Sequence, residues 1–152
     1  MAVRGYYRHP TVHGDQVVFV SEDDLWSVTI DGGTASRITA NPGSHAFPRL
    51  SPNGDRLAFV SRDEGRPEVH LMDAGGGPSR RLSHTGASTQ VVGWKPDGSA
   101  VVASSDHAQA FAGWNHLWYV PVDGSQPQPL GVGPAFSVSF GPGGRMALGR
   151  NA

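Results

Sequence analysis

GDQVVFVS (14–21) returns forty positions later as GDRLAFVS (54–61). In both copies a Gly-Asp turn delivers the chain into a short alternating run rich in β-branched and aromatic residues, which reads as a strand. Self-similarity at a fixed period is the first thing to look for in a chain, because it fixes the architecture before any single residue does.

The match grows outward from this pair. In the second copy a strand at 47–51 enters the turn Pro52-Asn53-Gly54-Asp55, and strands follow at 56–61, 68–73 and 81–83. The first copy keeps that order with DLWSVTI (24–30), the turn Asp31-Gly32-Gly33 and RIT (37–39). A third copy runs through VGWK (92–95), the turn Pro96-Asp97-Gly98, AVVAS (100–104), HLWYVPV (116–122) and Pro129-Leu130; a fourth starts at 138–140 and reaches 146–149. The turn glycines Gly14, Gly54, Gly98 and Gly144 step by 40, 44 and 46 residues. Proline fixes φ at one corner of such a turn, and glycine supplies the positive φ that closes it. No segment carries a helical period.

Four short strands per forty-odd residues is the blade of a β-propeller. The expected fold is all-β: blades of four antiparallel strands at about 5–40, 45–84 and 89–131, with an incomplete one at 135–152. One blade cannot hide both faces, so Val17, Phe19, Leu57, Phe59 and Val101 are expected to be buried between neighbours. A propeller closes with roughly four to eight blades. Three and a half leave open edges, so the 1–152 span is expected to be a fragment or a truncated product.

Composition narrows the function. There are 21 glycines and 12 prolines among 152 residues, which suits a turn-rich fold. A net charge of −1 argues against a chain built to hold nucleic acid or an anionic membrane. The absence of cysteine excludes disulfides, thiolate metal sites and cysteine nucleophiles. No apolar run has the length of a signal peptide or a membrane span, which makes the cytoplasm the expected compartment.

The opening HPTVHGDQVVFVSEDDLW (9–26) resembles the start of tricorn protease and its bacterial homologs, and so does the run from GPAF (133–136) to GRN (149–151). The blades between resemble that family's degenerate repeat, with SPNGD (51–55) its commonest form. The resemblance implies a large cytoplasmic serine protease that assembles as a homohexamer and cuts peptides. It implies a six-bladed propeller first, a seven-bladed one next, and catalysis far downstream beside a PDZ-like domain. This chain would be the beginning of the first propeller, with peptides and the rest of its own propeller and protease domains as partners. No catalytic residue carries over. A basic pair that the family's best-studied form has in the loop entering its third blade, proposed there to hold a substrate's C-terminal carboxylate, is missing here, where the loop reads HTGAST (84–89). Arg80 and Arg81 stand a few residues earlier.

The chemistry-bearing residues have quiet readings. The seven histidines, His9, His13, His45, His70, His84, His107 and His116, form no close ligand pair, so no metal site is expected. Asp23-Asp24 reads as a turn and strand cap rather than an acid–base pair. A G-x-S-x-G elbow is absent. Gly75-Gly76-Gly77-Pro78 lacks the lysine and helix of a phosphate loop. No cofactor is expected. The candidate contacts for a peptide or partner are Arg80 and Arg81, and Phe111 and Trp114 in the long loop of the third copy. The competing reading folds both aromatic rings back over the blade or against the next domain. Two further functions compete with the protease segment: a stand-alone TolB-like binding propeller, and the propeller of a prolyl-oligopeptidase-like hydrolase.

Overall fold

The computed structural model describes residues 5–150. Asn151 and the outer ends of the 1–152 span lie outside the described residues.

Strands β1 (Arg8–His13), β2 (Gln16–Ser21), β3 (Asp24–Thr29) and β4 (Ser36–Arg37) form one antiparallel sheet in chain order. A second holds β5 (His45–Leu50), β6 (Arg56–Ser61), β7 (Glu68–Asp73) and β8 (Arg80–Arg81). The third holds β9 (Thr89–Trp94), β10 (Ala100–Ser105), β11 (His116–Pro121) and β12 (Gln128–Pro134). The last is the pair β13 (Ser137–Phe140) and β14 (Met146–Gly149), joined by a single 3-10 turn. The first strands of successive sheets touch, β1 against β5, β5 against β9 and β9 against β13. These are all-β propeller blades, and none of the sheets closes on itself.

Three apolar seams hold the blades together. Val18, Val20 and Leu25 of blade 1 meet Leu50, Leu57, Phe59 and Met72 of blade 2. The other face of blade 2, with Ala58, Val60 and Leu71, meets Val91, Val101 and Ala103 of blade 3. Val102 and Leu117 carry the seam to blade 4 with Val138 and Phe140. Burying a side chain the size of Leu57 or Phe59 contributes roughly 1.5–3 kcal/mol, so each seam outweighs any single turn.

The expected burial of Leu57, Phe59 and Val101 is observed, but Val17 and Phe19 are only half-buried. Alternation explains this. Neighbouring residues of a strand face opposite sides, and Val18 and Val20 take the side facing blade 2. Strand β10 is buried throughout because blades flank it on both sides.

A second device repeats at the strand ends. In blade 1 the hydroxyl of Thr39 accepts the Leu25 N–H at 3.0 Å and donates to Asp24 at 2.7 Å. In blade 2 the Ser83 hydroxyl accepts the Val69 N–H at 2.9 Å and donates to Glu68. Blade 3 has Gly131 where this hydroxyl would stand, and there β12 runs on to pair Pro134 with His116.

Candidate functional site

Consecutive antiparallel strands put the links between the second and third strands of the three four-stranded blades at one end of the fold, together with the links between blades. Two residues make the first of these inner links, six the second (62–67) and ten the third (106–115). The third is a built loop. Asp106 holds both of its sides, accepting the Ser88 N–H at 2.9 Å on one carboxylate oxygen and the Gly113 N–H at 3.0 Å on the other. The Ser105 hydroxyl accepts the His107 N–H at 3.1 Å, and Trp114 N–H reaches the Phe111 carbonyl at 3.3 Å.

The aromatic rings do not fold back over the blade. Phe111 is 68% exposed and Trp114 53% exposed. Their ring centroids lie 6.3 Å apart with planes 31° from parallel. Beside Trp114 opens a cleft of about 360 Å³, lined by Ala112, Gly113, Asn115, Pro134 and Phe136. Asn115 is buried at its wall. Its amide nitrogen donates to Ser104 at 3.2 Å, while its side-chain oxygen is buried with no partner. A cleft walled by Trp114, Pro134 and Phe136 suits a ligand that carries an apolar group. Asn115 was not among the sequence candidates, because an asparagine before a strand reads as turn chemistry.

Arg80 and Arg81 diverge. Arg80 is exposed and crosses to blade 3, where it donates to the Val122 carbonyl. Arg81 turns inward: it pairs with Glu64, lies 3.3 Å from the Glu68 carboxylate, and donates to the Ser83 carbonyl at 2.8 Å. Glu68 is only 2% exposed. Burial alone would raise its pKa, but donation from the Ser83 hydroxyl, from the Gly86 and Thr85 N–H groups, and the nearby Arg81 charge bring it below the ordinary value. The structure thus ties Arg81 into a buried carboxylate clasp and does not bring either arginine to Phe111 and Trp114.

Asp23 and Asp24 also separate. Asp23 pairs with Arg8 at 3.0 Å, and Asp24 serves Thr39 and Arg37. The Asp23 carbonyl accepts the backbone N–H of His45 at 2.8 Å, and its oxygen lies 3.0 Å from the His45 Nδ1. His45 is buried at the seam, with Asp63 3.5 Å from its Nε2. His70 is near this cluster. Burial first, then the charges of Arg81 and His45, lowers its pKa against the opposing pull of Asp63 and Glu64. Among the described residues no group of three or more His, Asp or Glu side chains is placed to hold a metal ion. No helix there is long and apolar enough to cross a membrane.

The family defined as the tricorn protease N-terminal beta propeller domain matches residues 4–152. This chain belongs to the tricorn protease family. It is 41% identical over 142 residues to tricorn protease homolog 1 of Streptomyces coelicolor, covering 93% of this chain and 13% of that relative. It is 32% identical over 153 residues to the tricorn protease of Thermoplasma acidophilum, covering 94% of this chain and 14% of that one. A crystal structure of the tricorn protease superposes with a TM-score of 0.82 at 26% identity, over 96% of this chain and 15% of the other. The chain therefore spans about an eighth of the length of these two relatives, whereas it covers 72% of a putative tricorn-like protease N-terminal subunit of Sulfurisphaera tokodaii, to which it is 26% identical over 141 residues and 91% of its own length.

Proposed function

We propose that this tricorn-family segment forms the opening blades of a propeller in a cytoplasmic, homo-oligomeric serine peptidase, and that it guides peptides or docks partners rather than cutting them. The observation that carries the reading is the family match across the whole described span, together with 41% identity to a tricorn protease homolog of which this chain covers 13%. In this reading catalysis lies beyond the chain, and the Trp114 cleft is the contact for peptide or partner.

Reading the gene beyond the codon for Ala152 tests the first half. Many further codons with more blades and a serine-protease region are expected; a stop after one complete ring would leave a binding propeller. Trp114→Ser in the full-length enzyme tests the second half. A raised KM for peptides with kcat unchanged is expected, whereas unchanged KM and unchanged partner retention would remove the cleft from the proposal.

A further inference from the structure

The innermost strands carry basic groups that one carboxylate cannot balance. Arg49 on β5 is half-buried, and among the described residues no acidic side chain forms an ion pair with it. It donates to the adjacent Pro48 carbonyl at 2.9 Å. Burial lowers its pKa, and no acid offsets that. His9 on β1 feels the same environment: burial first, then the charges of Arg8 and Arg49, lowers its pKa. Arg8 is matched by Asp23 at 3.0 Å, yet its Nε is buried without a partner.

The backbone places these groups deliberately. Both inner strands bulge at the same register, where β1 slips between Arg8 and Thr11 and β5 between Ala46 and Arg49. His9 and Phe47 stand at the bulges with φ of 51° and 53°, a left-handed conformation that disfavours both side chains. Bulges re-aim side chains, and here the two rings meet across the blades with centroids 4.2 Å apart. From the next blade the Trp94 indole N–H donates to the Arg49 carbonyl at 2.9 Å, fixing the strand that carries the guanidinium. The cation is not part of the repeat. Thr11, Arg49 and Gly93 occupy the same register against Val18, Ala58 and Val102, and only blade 2 has an arginine.

A guanidinium stays charged at every pH the protein meets and presents paired N–H donors that match an oxyanion. Half-burying one without a carboxylate is costly unless an anion answers it. We propose that Arg49 and His9 form an oxyanion-binding site on the innermost strands, with Arg49 gripping a carboxylate or phosphate group by two N–H donors and His9 adding a third. This assignment does not rest on the peptidase reading.

The test follows the His9 imidazole by NMR while the folded chain is titrated with inorganic phosphate, using exposed His13 as the internal control. A saturable shift confined to His9 is expected, with affinity falling about ten-fold or more in Arg49→Met as the bidentate charged contact is lost. Arg49→Lys, which keeps the charge without the fork, is expected to weaken binding by a smaller factor. An N-acetyl dipeptide that displaces phosphate with a free C-terminus but not as its amide assigns a carboxylate; phosphate binding without such displacement assigns phosphate. No saturable His9 shift in the unmodified chain overturns the site. So does undiminished affinity in Arg49→Met or, should that variant not fold, in Arg49→Lys.

Discussion

The imidazole of His13 in the first blade fills the space beside Gly54 in the second, and its Nε2 lies 3.0 Å from the Pro52 carbonyl. The glycine that closes the repeated turn therefore also seats the neighbouring blade. Gly98, at the equivalent turn of blade 3, has positive φ too, but a Cβ there would meet nothing within 4 Å. Gly98→Ala should cost about 1 kcal/mol, the backbone penalty alone. Gly54→Ala should cost more, about 1–2 kcal/mol, because it also displaces His13. Adding His13→Ala should bring the two glycine substitutions together in a denaturant titration; equal costs with His13 present would refute the packing role.

Gly43 has a different reason to be glycine. A Cβ there would sit 2.6 Å from the Asp63 nitrogen and 2.7 Å from its Cα, and backbone cannot step aside as a side chain can. Gly43→Ala is expected to destabilise by about 1–3 kcal/mol, the usual range for overpacking. Thermal unfolding indistinguishable from the parent chain would contradict this contact.

The buried clasp around Glu68 predicts acid lability. Its pKa lies below the ordinary value of 4.5, so its ionised form stabilises the fold above that pH, and the contribution is lost as pH falls through the lowered value. His70, lowered from 6.5, acts in the same direction from a higher starting point, because folding favours its neutral form. Glu68→Gln should lower stability near neutrality by about 1.5–3 kcal/mol, the value of hydrogen bonds to a charged group. It should also flatten the acid limb below pH 4.5. An acid limb of unchanged steepness in the variant would exclude Glu68 as its source.

Asp97 in the third turn is held at about 2 by the hydroxyl and N–H of Ser99, with Lys95 3.1 Å away. NMR titration should find it ionised down to that range, and Ser99→Ala should move its midpoint back toward 3.8. A midpoint that ignores Ser99 would mean that the turn does not hold the carboxylate.

The exposed aromatics should be free to change as far as folding is concerned. Phe111→Ser and Trp114→Ser remove side chains that cover little of the core, so stability should stay within about 0.5 kcal/mol of the parent. A larger loss on chemical denaturation would show that the rings brace the loop.

Blade order, the strand runs at 56–61 and 68–73 and the turn glycines were legible in the sequence, because local alternation and turn chemistry repeat at a fixed step. The family was legible in the opening block. The first strand of blade 1 was not: His9-Pro10 breaks the alternation at a bulge, and proline weakens any strand reading. The side of β2 that is buried was not legible either. Residues of one strand alternate, and only the position of blade 2 decides that Val18 and Val20, rather than Val17 and Phe19, meet it.

The same division holds for the functional residues. Sequence alone marked Phe111 and Trp114, since a long interruption of a regular repeat stands out. It set Arg80 beside Arg81 as a pair, yet successive strand residues face opposite ways, and the fold sends one to Val122 and the other to Glu64 and Glu68. It gave no sign of Arg49, an ordinary arginine in a strand whose isolation from any acid appears only when four blades bring their inner strands together. Sequence by itself determined the repeat, the blades and the family, because these follow from short-range patterns. The seams, the clasp at Glu68 and the basic site at His9 and Arg49 were decided by tertiary structure: the seams and the basic site depend on contacts between chain segments about forty residues apart, and the clasp on a strand meeting Arg81, Ser83 and Gly86 from the turn-separated end of its own blade.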